Sequence, residues 1–147
     1  MKYLYVLIYC LLLTGTFTSH ADTTATLLKV NNMTIKINIK GQQFYVRVND
    51  NPAAKAFVDA LPLQLEMNEL NGNEKFADLP YALPSSPESP KTTQIGDLML
   101  YGKQTLVLFY KSFESSYRYT PIGKVIDPVN LTAVIDEKKV RVEFNNN

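Results

Sequence analysis

The chain has 147 residues, enough for one domain, with 15 basic residues nearly balanced by 14 acidic ones. One cysteine, one histidine and no tryptophan leave no disulfide framework, and a formal charge of +1 lacks the clustered basic surplus that nucleic acid binding needs.

Residues 1–21 read as a secretory signal peptide. Lys2 supplies a positive start, Tyr3 to Leu13 is an unbroken apolar run, and Ser19-His20-Ala21 has the small-x-small cleavage pattern. The run is too short for a membrane span, so none is expected after cleavage. Cys10 lies inside the apolar run, where a lipid-anchored cysteine would follow it. Cleavage removes Lys2, Cys10 and His20, leaving 14 basic and 14 acidic residues and a formal charge of zero. The remainder has neither thiol nor imidazole. This excludes Ser-His-Asp and Cys-His catalysis and the usual zinc ligands, and no cofactor or metal is expected. An exported protein, periplasmic or extracellular, is the expectation.

Residues 22–32 read as an N-terminal tether and residues 33–147 as one domain. Met33, Ile35, Ile37 and Ile39 alternate with polar residues, as do Phe44, Val46 and Val48 after Lys40-Gly41, so a hairpin is predicted. Asn49-Asp50-Asn51-Pro52 is a helix start. An Asx side chain caps the first turn, and proline suits the first helical position. Ala53, Ala56, Phe57, Ala60 and Leu61 then form one apolar stripe, ended by Pro62. Leu63, Leu65 and Met67 predict a third strand. Asn71-Gly72 is a turn, with Glu69 and Glu74 flanking it on a solvated hairpin and Lys75 free to pair with either.

Asp78 to Thr93 carries four prolines and reads as a long loop, either functional or an ordered surface excursion. Leu98–Tyr101 is a strand. Thr105 to Tyr110 is almost wholly apolar, which predicts a strand buried on both faces. Ser112 to Tyr119 is an aromatic-rich crossing, and Ile122–Ile126 another strand. Asp127-Pro128 repeats the helix-start chemistry before Leu131, Val134 and Ile135, and Val140, Val142 and Phe144 alternate as a last strand. The sum is a mainly β fold: a closed barrel of about eight strands with two short helices, each covering one end.

These pieces resemble the bacterial cyclophilin-like family. The resemblance rests on Asn51-Pro52 with Leu61-Pro62, Glu69-Leu70-Asn71-Gly72-Asn73-Glu74-Lys75, Gly96-Asp97-Leu98 with Tyr101, Leu106-Val107-Leu108-Phe109-Tyr110, and Tyr119-Thr120-Pro121-Ile122-Gly123-Lys124. In order and spacing they span nearly all of residues 33–144. The resemblance implies a cyclophilin-like β-barrel. It implies no activity, because the Phe-His-Arg and Phe-Met-x-Gln-Gly-Gly segments of the prolyl isomerases are missing, as are the Trp and His around their proline pocket.

Two functions fit the residues. The first is a non-catalytic module binding a peptide or small molecule at Tyr101, Tyr110, Phe113, Tyr117, Arg118 and Tyr119, since tyrosine joins apolar area to a hydroxyl. The second is a divergent peptidyl-prolyl isomerase, which needs an apolar pocket and a guanidinium to weaken amide resonance. Arg118, among aromatic residues, and Arg47, beside Tyr45, are the candidates. Both arginines equally fit solvated strand faces with their stems against rings. An interaction domain using a sheet edge or the Pro80–Pro90 loop is a third option.

Overall fold

The computed structural model describes residues 33–147, and the predicted signal peptide and tether lie outside the described residues. Ten strands and two helices follow in order. They are β1 (Thr34–Ile39), β2 (Gln42–Val48), α1 (Pro52–Asp59), β3 (Leu63–Leu70), β4 (Glu74–Asp78), β5 (Thr92–Thr93), β6 (Asp97–Tyr101), β7 (Thr105–Phe109), β8 (Phe113–Glu114), β9 (Thr120–Val125), α2 (Leu131–Ile135) and β10 (Lys139–Asn146). Eight of the strands close into an antiparallel barrel in the order β1-β10-β3-β4-β7-β6-β9-β2, while β5 and β8 pair separately. Closure leaves the barrel no unpaired edge, so the free sheet edges lie on the separate β5–β8 pair.

Alternation explains the barrel. Ile35, Ile37 and Ile39 of β1, Phe44, Val46 and Val48 of β2, and Val140, Val142 and Phe144 of β10 all point inward and are buried in one core. Asn71 and Gly72 turn β3 into β4 with φ of 55° and 70°, as the Asn-Gly pair predicts. Along β9, Gly123 lies opposite Val48, and a Cβ there would stand 2.6 Å from the Arg47 carbonyl oxygen. Only glycine permits that approach. A register shift in the β6–β9 pairing follows at Leu98/Met99, beside Pro121.

The helices plug opposite ends. α1 joins the end of β2 to the start of β3, and its Phe57 packs edge-on against Phe144 at 5.5 Å. Asn51 caps it, accepting from the Ala54 N–H at 2.9 Å, while its amide donates to the Pro121 carbonyl at 2.7 Å. α2 sits where β9 ends and β10 begins, burying Leu131 and Ile135. Its cap position is Asn130, without a side-chain bond, so Asp127-Pro128 lies in the lead-in and not at the helix start.

Two further readings are revised. β4 is the second arm of the hairpin expected around Asn71-Gly72, but its opening residues Glu74 and Lys75 do not face solvent. Both residues are buried, at 6% and 0% exposed, so the hairpin is not solvated at this end. The proline-rich segment is an ordered excursion. Leu79 and Leu83 enter the barrel core, and Glu88 forms a two-way backbone bridge with Tyr119.

Candidate functional site

β7 is apolar on both faces for two different reasons. Leu106 and Leu108 point into the barrel, while Val107 and Phe109 point outward. The outward pair joins Met99 of β6 and Tyr119 in a second apolar cluster, with Phe76 of β4 and Phe113 of β8 packed against it. Rings mesh throughout. Phe109 meets Tyr119 edge-on at 5.5 Å and Phe113 at 5.7 Å, and Tyr101 meets Tyr117 edge-on at 6.0 Å and Tyr119 at 5.8 Å.

The segment from Phe113 to Tyr119 is held over the barrel face by backbone bonds to the proline-rich excursion. Thr92 and Thr93 pair with Glu114 and Phe113, and the Ser115 N–H donates to the Lys91 carbonyl at 2.9 Å. It does not cover the face completely. An open cleft of about 380 Å³ remains, with Phe76, Val107, Phe113, Tyr101, Tyr117 and Tyr119 supplying its apolar surface. Leu70, Asn71 and Glu74 line it at the β3–β4 turn, and Thr105 lines it near the other end of β4, opposite Asp78. The cleft therefore follows β4 from Glu74 to the level of Asp78, four residues or roughly 13 Å at a strand's rise.

The two glutamates flanking the Asn-Gly turn have opposite surroundings. Glu69 and Lys75 are cross-strand partners facing the barrel interior. The Lys75 ammonium donates to the Glu69 carboxylate and to the Glu137 carbonyl, and lies 5.3 Å from the Tyr110 ring centroid. The Tyr110 hydroxyl also donates to Glu69, at 2.7 Å, and so does the Gly72 N–H. Burial works to raise the Glu69 pKa, but the bonds from Lys75 and Tyr110, the Lys75 charge and the Gly72 amide outweigh it and lower it.

Glu74 lies one residue before Lys75, across from Leu70 and Phe109 on the outward face. Its side chain lines the open cleft beside Leu70, Asn71 and Phe76, and among the described residues no side chain or backbone N–H donates to its carboxyl. Burial, with repulsion from Glu69, raises its pKa to about 7.

The structure brings four of the six predicted binding residues to the cleft: Tyr101, Phe113, Tyr117 and Tyr119. The other two lie elsewhere. Tyr110 is buried with its hydroxyl on Glu69 inside the barrel end. Arg118 is exposed and turned away, donating to the Pro87 carbonyl at 2.8 Å. Arg47 stands exposed on the outer face between β1 and β9, outside the cleft lining. Sequence reasoning missed Phe76 and Val107, whose outward aim depends on cross-strand register. It also discounted Glu74, whose place after a turn suggested solvent. Among the described residues no group of His, Cys, Asp and Glu is arranged to hold a metal ion, and no helix is long and apolar enough to cross a membrane.

No curated protein matches the chain. A hypothetical protein from Archaeoglobus fulgidus, solved in solution, shares the fold with a TM-score of 0.54 and 16% identity, over 80% of this chain and 96% of its own. The cyclophilin-like family model matches residues 37–145, from the first strand through the last, which includes both walls of the cleft. The chain belongs to the cyclophilin-like family.

Proposed function

We propose that this cyclophilin-like protein is an exported, non-catalytic binding module that holds a peptide segment or a small molecule in the cleft between β4–β7 and the Phe113–Tyr119 segment. One observation carries the reading: an aromatic cluster on the outside of a barrel whose own core is already complete. Apolar surface kept partly open beside such a cluster fits ligand contact, with Tyr101 47% and Tyr117 59% exposed at its rim. Export is supported by the apolar run and cleavage pattern of residues 1–21. The isomerase alternative needs a guanidinium at the proline ring, and neither Arg118 nor Arg47 lines the cleft.

The test is a fragment and proline-peptide titration followed by NMR shifts of Val107, Phe113 and Tyr117, repeated on Leu70→Trp. Leu70 is 40% exposed at the cleft mouth, so the larger ring fills the cleft without entering the barrel. Binding in the parent and at least tenfold weaker binding in the variant is the expected pair. Binding unaffected by the filled cleft would place the ligand elsewhere. A parallel isomerisation assay is expected to show no acceleration of the same peptide. Acceleration lost in Arg118→Ala would establish the enzyme instead.

A further inference from the structure

Glu74 is the one buried carboxylate of the barrel strands that the fold leaves unanswered. Glu69, five residues earlier, has Lys75, Tyr110 and the Gly72 amide. Asp97, also buried, has Lys124 at 3.0 Å and the Gln94 N–H at 2.8 Å. Glu74 is 6% exposed and has no donor among the described residues. Its oxygens are not sealed in the core but open on the cleft, and partial burial of a carboxyl among apolar groups without a cation costs stability, so for a structural residue a leucine would serve better. The groups around it do not relieve the charge. Glu69 repels it from β3, and Lys75 on its own strand points to the opposite face, committed to Glu69 and the Glu137 carbonyl. Tyr110 donates its hydroxyl to Glu69, and Lys111 lies over the Tyr110 ring at 5.8 Å. From the cover come only rings: Phe113, Tyr117 and Tyr119, with Tyr101 behind them.

We propose that the cleft recognises an organic cation, an amine carried on an apolar or aromatic body, with the ammonium paired to Glu74 and the body lying along Phe76, Val107, Tyr117 and Tyr101. This rests on the cleft being the binding site. Aromatic faces beside a carboxylate attract a cation through both the ring quadrupoles and the charge, and burial strengthens both attractions. A ligand anion would meet the Glu74 carboxylate, with no cationic side chain in the cleft lining to answer it. Because a proton and the ammonium compete for the same carboxylate, amine affinity falls as Glu74 protonates below pH about 7, by roughly tenfold per pH unit at the limit.

Three probes sharing one ring isolate the charge: 2-phenylethylamine, 2-phenylethanol and phenylacetate, titrated by NMR at pH 8 and pH 5.5. The expected result is preference for the amine at pH 8, with about 30-fold weaker amine binding at pH 5.5. Glu74→Gln is expected to remove both the preference and the pH dependence while phenylethanol still binds, its fold checked by circular dichroism. Equal or tighter binding of the alcohol or the acid, or tighter amine binding at pH 5.5, would overturn the cation while leaving the cleft as a binding site. If none of the three perturbs Val107, Phe113 or Tyr117 at millimolar concentration, the cation proposal is overturned too. The peptide and fragment titration on Leu70→Trp then decides separately whether the cleft binds anything.

Discussion

Replacing Glu74 with glutamine changes stability in a way that depends on pH, with a direction fixed by the structure. The folded protein holds the Glu74 proton up to pH about 7, while the unfolded chain releases it near the ordinary glutamate value of 4.5. Below 4.5 both states are protonated and the carboxyl costs nothing extra. Between 4.5 and 7 the unfolded state gains by releasing its proton first, so stability falls as pH rises. Above 7 both states are charged and the cost is constant. Its ceiling is about 3 kcal/mol from the pKa difference, and solvent entering the open cleft screens part of that, leaving roughly 1–2 kcal/mol. Glu74→Gln removes this term. Relative to the parent it should therefore gain roughly 1–2 kcal/mol between pH 5 and pH 8, on top of any constant offset from placing an amide there. Urea unfolding followed by circular dichroism at pH 5, 6, 7 and 8 measures the difference. A flat difference across that range would show that the Glu74 carboxyl is as well solvated folded as unfolded, and the electrostatic account of the cleft would fail.

The Glu69–Lys75 pair predicts an asymmetry. Glu69→Ala leaves a fully buried ammonium without its carboxylate and should cost roughly 3 kcal/mol near neutral pH, whereas Lys75→Met should cost less, because Glu69 retains 27% side-chain exposure and its bonds from Tyr110 and Gly72. Thermal unfolding of the two variants compares them directly, and equal losses would refute the asymmetry. Since the Glu69 pKa is lowered, its stabilising contribution is fully present above the ordinary glutamate value of 4.5 and is lost as pH falls from there through the lower folded value, so the penalty of Glu69→Ala should shrink in acid. Gly123→Ala drives a Cβ to 2.6 Å from the Arg47 carbonyl oxygen and 2.7 Å from Val46 Cγ1, and should cost roughly 1–3 kcal/mol in urea unfolding. A neutral result would mean that β2 and β9 separate without penalty.

What the sequence reveals and what it conceals have different physical origins. Strands with one face in the core alternate visibly, so β1, β2, β3 and β10 are legible, as is Asn51 at the head of α1. β7 is legible as buried on both faces, but its sequence does not say what lies against the outer one. That depends on register: Val107 stands beside Phe76 on one side and Met99 on the other. Chain proximity gathers Phe113, Tyr117 and Tyr119 correctly and also sweeps in Tyr110 and Arg118, which the backbone aims elsewhere. Glu74 is the least legible of all. An acidic residue after an Asn-Gly turn looks solvated, and only closure of the barrel and the crossing of the aromatic segment bury it.

The sharing of β7 between two apolar clusters gives the cleft a rigid floor and a soft roof. The floor strands are hydrogen-bonded on both sides within a closed barrel, so their amides open only when the whole barrel does. The roof is held by the two-residue pairing of β5 with β8 and by the Glu88–Tyr119 bridge, so it opens locally at much smaller free energy. In hydrogen exchange, β4 and β7 should then report global unfolding while residues 113–119 exchange early. A ligand would reveal itself first as protection of the roof, with the floor unchanged.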